Sequence, residues 1–320
     1  MSINIGNIKI DDPVFLAPLS GVSDLPFRKV VKKFGAGLVV SEMIASRAMI
    51  LQTKQSMQKC RLQEGNFPNV VQLAGCDPEV MGQAAKLNED LGADIIDINF
   101  GCPVKKVVNG FAGSALMKDE KLAAKILEAT AKAVKIPVTL KMRLGWNEQN
   151  KNAPILAKIA EDVGIKMITI HGRTRCQMYN GKADWQEISK VKEVISIPLI
   201  ANGDIKTFED AKLALEQSSA SGVMIGRATY GKPWLISQII AHLKNQEPPK
   251  EPDINQKRQI ILDHFQDIID HYGHIVGVNL ARKHIGWYSS GIEGSAAFRA
   301  KINTLTDKNA VTDEINKFFQ

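Results

Sequence analysis

The stretch Val14-Phe15-Leu16-Ala17-Pro18-Leu19-Ser20-Gly21 decides between two folds. A strand-length apolar run ends at Ala17, and proline and glycine then stop it. In a doubly wound open sheet, the turn after the first strand carries a G-x-G-x-x-G phosphate loop. Pro18-Leu19-Ser20-Gly21 has no such loop, so the competing parallel architecture, a closed barrel, is expected.

Working outward, similar Val- and Ile-rich runs recur at residues 38–41, 69–73, 95–99, 138–142, 167–171, 199–202 and 222–225. Segments of helical periodicity lie between them, among them 78–91, 120–134, 153–163 and 207–216. Eight strand–helix units over about 240 residues match the size of a (β/α)8 barrel. At Asn245-Gln246-Glu247-Pro248-Pro249-Lys250-Glu251-Pro252, prolines among charged residues mark a linker. Beyond it Ile254, Ile261, Phe265, Ile268 and Ile269 recur at helical spacing, with no period-two run. The expected organisation is α/β: a (β/α)8 TIM barrel over residues 1–245, a linker at 246–252 and a small all-helical domain at 253–320.

The 320 residues are 44% hydrophobic and 23% charged, as in soluble globular chains. No apolar run approaches the roughly 20 residues that span a bilayer. The start, Met1-Ser2-Ile3-Asn4-Ile5-Gly6, lacks a signal-peptide pattern, so a cytoplasmic protein without a membrane partner is expected. Cys60, Cys76, Cys102 and Cys176 are scattered and form no C-x-x-C pair, which argues against zinc, iron–sulfur and disulfide readings. The net charge is +7, and it is uneven. Residues 1–250 hold 33 Lys/Arg against 25 Asp/Glu, whereas residues 251–320 hold 8 against 9. The basic excess belongs to the barrel.

Barrel enzymes carry their chemistry on loops at the C-terminal ends of strands, so position ranks the candidates. Pro18, Leu19 and Ser20 follow the first strand, Gln72 lies in the third, and Asn99 and Cys102 end the fourth. Lys141 and Arg143 share one side of the fifth. His171, Gly172 and Arg173 end the sixth, Asn202, Gly203 and Asp204 the seventh, and Gly226 and Arg227 the eighth. Small residues with a guanidinium after strands seven and eight fit a phosphate-bearing cofactor. Taken singly, Asn202-Gly203 is equally a tight turn and Arg227 a surface cation. Lys141 suits a Schiff base or a fixed cation beside an electron-rich group. Gln72 suits the edge of a heteroaromatic ring or a core-lining amide, and His171 a base, a cofactor donor or a satisfied core residue.

Cys102 leaves the run Asp97-Ile98-Asn99-Phe100-Gly101-Cys102-Pro103, where glycine and proline present the thiol at a strand end. An unperturbed thiol titrates near about 8.5, so at neutral pH it is a proton donor. Lys105 and Lys106 nearby would instead favour a thiolate nucleophile, and a buried free cysteine is often only a small hydrophobe.

Together, Ala17 to Asp24, Asp97 to Lys106, Lys141-Met142-Arg143, His171 to Arg175, Ala201 to Asp204 and Gly226-Arg227 resemble the tRNA-dihydrouridine synthases. Cys102 to Met117 is most similar to the bacterial B branch, and Arg282 to Tyr288 resembles the family's C-terminal helical domain. Leu19 and Ser23 depart mildly from the family's usual Met and Thr. The resemblance implies reduction of the C5=C6 bond of a tRNA uridine, most in keeping with the D-loop, by bound FMN recharged by NADPH. It implies that Cys102 protonates C5 while flavin N5 delivers hydride to C6. Pro18, Leu19 and Ser20 would line the flavin, with Gln72, Lys141 and His171 also on the cofactor. Asn202, Gly203, Asp204, Gly226 and Arg227 would hold its phosphate. Asn99, Arg143, Arg173, Arg282 and Lys283 would meet the tRNA. A positive rim of Lys105, Lys106, Arg143, Arg173, Arg175, Arg227 and Lys232 would contact RNA phosphates. No metal is expected, and a monomer is. A flavin barrel acting on a free pyrimidine, as in dihydroorotate dehydrogenases, and a non-catalytic tRNA-binding protein are the rival readings.

Overall fold

The computed structural model describes residues 2–62, 65 and 67–320. A short antiparallel hairpin, β1 (Ile3–Ile5) and β2 (Ile8–Ile10), comes first. The strands β3 (Val14–Leu16), β4 (Leu38–Val39), β5 (Ile44–Ala45), β6 (Val70–Ala74), β7 (Ile95–Phe100), β8 (Val138–Arg143), β9 (Met167–His171), β10 (Leu199–Asn202) and β11 (Gly222–Ile225) follow. They lie in the order β4-β3-β11-β10-β9-β8-β7-β6-β5, each pair parallel.

The two ends of that order are consecutive in the chain. Val40, between them, bridges Val70 in parallel, and Ser41 N donates to Val70 O at 3.0 Å. The sheet thereby closes, and the expected barrel is present with its second strand broken into two short pieces. Helices Pro78–Asp90, Glu120–Ala133, Ala153–Asp162, Trp185–Lys192, Phe208–Ser218 and Leu235–Leu243 cover the outside.

Strand alternation sorts side chains between two layers. Ile96, Ile98, Phe100, Leu140, Met142, Ile168, Ile170, Leu199 and Ala201 face out into the helical shell. Phe15, Leu38, Val70, Ile95, Met167, Ile200 and Met224 pack inside, where Ile3, Ile5 and Ile10 of the hairpin join them. The hairpin plugs the end where strands begin, leaving the other end for polar groups. The hairpin and the short β5 did not stand out in the sequence.

No regular element occupies residues between Leu243 and Ile254. Helix Ile254–Tyr272 then starts at a capping box formed by Asp253 and Gln256, a device worth about 1 kcal/mol. With His274–Tyr288, Ser295–Ile302 and Lys308–Phe318 it encloses a separate core around Phe265, Val278, Ile285, Phe298 and Ile315. Among the described residues no helix is long and apolar enough to cross a membrane.

This helical tail docks on barrel helix Leu25–Lys33. Phe27, 1% exposed, lies 5.8 Å from His264 and 5.4 Å from His284, ring to ring. Asp24 caps that helix through Phe27 N at 3.0 Å and accepts from Tyr272 Oη at 3.1 Å. On the other flank Tyr230 stacks on Trp287 at 4.2 Å. Beside it Gly231 sits at φ +67°, and a Cβ there would land on the Trp287 carbonyl. Backbone strain and steric overlap coincide at this glycine. Gly231→Ala is expected to loosen the tail from the barrel and destabilise the protein by roughly 2 kcal/mol or more. Thermal denaturation and proteolytic cleavage within residues 246–252 measure this; an unchanged midpoint with unchanged protection would contradict the docking.

Candidate active site

The ladder that carries apolar residues at the bottom of the barrel carries polar ones near its mouth. Register pairs Gln72 with Asp97, Asp97 with Thr139, Asn99 with Lys141, Lys141 with Thr169, Arg143 with His171 and Asn202 with His171. These inward positions follow from the same alternation as the core below.

A chain of hydrogen bonds climbs from this layer to the thiol. Thr139 Oγ1 donates to Asp97 Oδ1 at 2.6 Å, and Gln72 Nε2 to Asp97 Oδ2 at 2.7 Å. Asn99 Nδ2 then donates to Gln72 Oε1 at 2.8 Å. Asn99 Oδ1 accepts from Gly101 N at 3.1 Å and Cys102 N at 2.9 Å. Burial raises the Asp97 carboxyl above the carboxylate range, while Thr139, Gln72 and Lys141 pull it back. Sequence reasoning passed over Asp97 and Thr139 as site members, although period two places them on the face of Asn99 and Lys141.

Cys102 itself is half-buried. Its carbonyl accepts from Ser114 N at 3.1 Å and Ser114 Oγ at 2.8 Å, tying the loop down from its far side. Burial pushes the thiol above the ordinary thiol range; the Val104 backbone, Arg143 and Lys141 oppose the shift without cancelling it. The group is therefore a thiol at neutral pH, with cations near enough to stabilise the thiolate once its proton leaves.

Lys141 is buried and donates to Asn202 Oδ1 at 2.9 Å, and Asn202 Nδ2 donates to Met224 O at 2.8 Å. Burial brings the Lys141 ammonium down to about 8, with Arg143 acting the same way. His171 stays neutral: burial, then Lys141, Arg143, Arg173 and Arg227, hold its imidazole well below the usual range. Its Nδ1 and the neighbouring Thr169 Oγ1 are buried without a hydrogen-bond partner among the described residues.

At the ends of β10 and β11, Gly203 takes φ +115° and a Cβ on Gly226 would stand 3.7 Å from Leu19 and 3.8 Å from Ala17. Arg227 is exposed, 3.8 Å from Asp204 and 4.9 Å from the Tyr179 ring. Ser20 is exposed, whereas Pro18 and Leu19 are half-buried. Two unmatched polar atoms and four cations around one neutral imidazole fit a group with a polar ring and an anionic tail.

Three residues expected on RNA make their hydrogen bonds within the protein. Arg173 is 1% exposed and forked onto Asp204 at 3.1 and 2.5 Å, with further bonds to Asn180 O and Gly181 O. Arg143, also buried, donates to Gly101 O at 2.8 Å and to Thr174 O and Met178 O at 2.9 Å. Asn99 spends its amide on Gln72 and on the cysteine loop. These three hold the loops in shape, because a guanidinium or amide at strand ends is the nearest donor for backbone that has left the ladder. Of the expected rim, Lys105, Lys106, Arg227 and Lys232 are exposed, and Arg175 lies half-buried on Trp146. On the tail, Arg282 donates to Leu305 O at 2.7 Å and Lys283 Nζ to Gly21 O. Among the described residues no cluster of three or more His, Cys, Asp or Glu side chains could hold a metal ion.

A family model described as Dihydrouridine synthase (Dus) matches residues 15–320. A probable tRNA-dihydrouridine synthase of Rickettsia bellii is 61% identical over 99% of this chain and 98% of its own. The tRNA-dihydrouridine synthase B of Pseudomonas putida is 43% identical over 99% and 94% respectively. Among solved structures, histamine dehydrogenase from Rhizobium sp. 4-9 superposes with a TM-score of 0.55 at 12% identity, covering 83% of this chain and 50% of that one, a likeness of fold alone. A thiol raised on a braced strand-end loop, beside a cradle fit for a polar ring and an anion, thus stands in a chain that belongs to the dihydrouridine synthase family.

Proposed function

We propose that this protein is a cytoplasmic, FMN-dependent tRNA-dihydrouridine synthase that reduces the C5=C6 bond of a D-loop uridine, with NADPH as electron source. The observation that carries the reading is the Cys102 loop, held by Asn99 and Arg143 so that the half-buried thiol stands at the barrel mouth. Residues 1–245 form the catalytic part and 253–320 the part that orients tRNA. Gly203, Gly226 and Arg227 would hold the cofactor phosphate, while His171, Lys141 and Gln72 would serve its ring and Pro18, Leu19 and Ser20 would line it. Bound there, FMN supplies the hydride that C6 receives, after recharging by NADPH.

The protein's own part is the proton. As C6 receives hydride, the π pair moves to C5 and takes the proton from Cys102 Sγ, whose S–H pair stays on sulfur; the hydride pair and the π pair become the two new C–H bonds. The thiolate left behind is stabilised by Arg143 and Lys141 and regains a proton from solvent. A thiolate at the outset could not do this, so the upward shift of Cys102 serves the chemistry directly. The uridine has to leave its stack to reach the thiol, at a cost of a few kcal/mol. Exposed Lys105, Lys106, Arg227 and Lys232 can offset part of that cost through RNA phosphates.

The purified protein is expected to be yellow, with a flavin spectrum that NADPH bleaches; a colourless protein that FMN cannot reconstitute would contradict the proposal. Cys102→Ala is expected to lower tRNA reduction about 10²- to 10⁴-fold while NADPH still bleaches the flavin. Equal tRNA reduction by mutant and wild type would remove Cys102 from the mechanism, and comparable turnover of free uracil or dihydroorotate would favour a small-molecule substrate. Because the thiol lies above its ordinary range and Lys141 near about 8, the single-turnover rate should be level through neutrality and fall only at alkaline pH. A rate that climbs with pH through neutrality would point to a thiolate nucleophile.

A further inference from the structure

The turn after β3 is gripped from two parts of the molecule at once. Gly21, at φ +74°, donates its N–H to Glu42 Oε1 at 2.5 Å, and its carbonyl accepts from Lys283 Nζ. Glu42 is 5% exposed and lies between the two pieces of the broken second barrel strand, with Lys59 at 3.8 Å as its cation. Lys283 comes from tail helix His274–Tyr288. Inside the turn, Leu19 N donates to Ser23 Oγ at 2.8 Å, and Leu19 O accepts from Val22 N and Ser23 N, both at 2.9 Å. Arg28 Nη1 holds Ser23 O at 2.9 Å, and Tyr272 reaches Asp24 from the other long tail helix.

What this turn presents to the barrel mouth is Leu19. Its Cδ2 lies 3.7 Å from where a Cβ on Gly226 would stand, so its side chain covers the glycine at the end of β11. A rigid turn with a leucine laid on the phosphate glycine has no need of a lysine from a separate helical core unless its position matters. Lys283 had been expected on tRNA, yet its ammonium is spent on the cofactor side of the molecule.

We propose that Lys283 is a positioning residue of the cofactor site: with Glu42 it holds the two ends of Gly21 and thereby sets Leu19 against Gly226. The tail is then part of the cofactor site's construction as well as a platform for RNA. This rests on the reading that Gly226 and its neighbours take FMN.

The test compares Lys283→Met, Lys283→Arg and wild-type holoenzyme. For Lys283→Met, FMN release after dilution should be about tenfold faster, the scale of one charge-assisted hydrogen bond. Its flavin absorption and visible circular dichroism should shift, with the thermal midpoint of the protein little changed. Lys283→Arg should restore both readouts. tRNA affinity measured at saturating FMN should match wild type. Unchanged FMN release and flavin spectra with weaker, less salt-dependent tRNA binding would overturn the proposal and return Lys283 to the RNA surface. Should Lys283→Met fail to fold, Glu42→Gln loosens the same glycine from the barrel side and should give the same flavin signature; an unaltered flavin there overturns the proposal equally. Wild-type protein that takes no FMN would instead refute the functional reading itself.

Discussion

The buried carboxylate of Asp97 is the constraint on which the site is built. It sits inside a closed barrel, where an unpaired charge would cost several kcal/mol. Thr139 and Gln72 satisfy it, and satisfying it fixes them in turn. Gln72, once committed to Asp97, offers its carbonyl to Asn99, and Asn99 gathers the amides of Gly101 and Cys102. The position of one thiol is thus inherited, bond by bond, from the parallel register of β6, β7 and β8. Half-satisfied networks of this kind are costly, so each member is held where its neighbours require it.

Above that chain the site is a balance of charge. Lys141, Arg143, Arg173 and Arg227 surround His171 and keep it neutral. Two of them, Arg143 and Lys141, press on the Cys102 proton, and burial of the thiol prevails over them. Two of the four arginines and lysines are also structural: Arg143 braces the cysteine loop, and Arg173 pins the segment after β9 onto Asp204. Such dual use concentrates positive potential without leaving the cations free to move.

Much of this was legible in the sequence. Short Val- and Ile-rich runs marked the barrel strands, three of them with their bounds as observed, because a strand buried on both faces is a compact apolar run. Strand ends then located Cys102, Lys141, His171, Asn202 and Gly226. What the residues could not disclose was which donors remain free. Arg143 and Arg173 look in sequence like RNA-binding cations, but whether a guanidinium meets a ligand or a carbonyl depends on loops that return from elsewhere in the chain. Glu42 escaped notice for the same reason, since its partner Gly21 is held by a tertiary turn and by a tail helix distant in sequence. The hairpin at residues 3–10 was hidden because a three-residue strand carries almost no periodic signal.

The central claim is that Cys102 stands protonated at the barrel mouth, ready to give its proton. The most direct measurement is the rate of Cys102 alkylation by iodoacetamide in the FMN-loaded protein, followed by mass spectrometry across pH. The account predicts slow alkylation through neutrality, accelerating only at pH values above the ordinary thiol range. Rapid alkylation at neutral pH, level down to acid, would show a stable thiolate and contradict it.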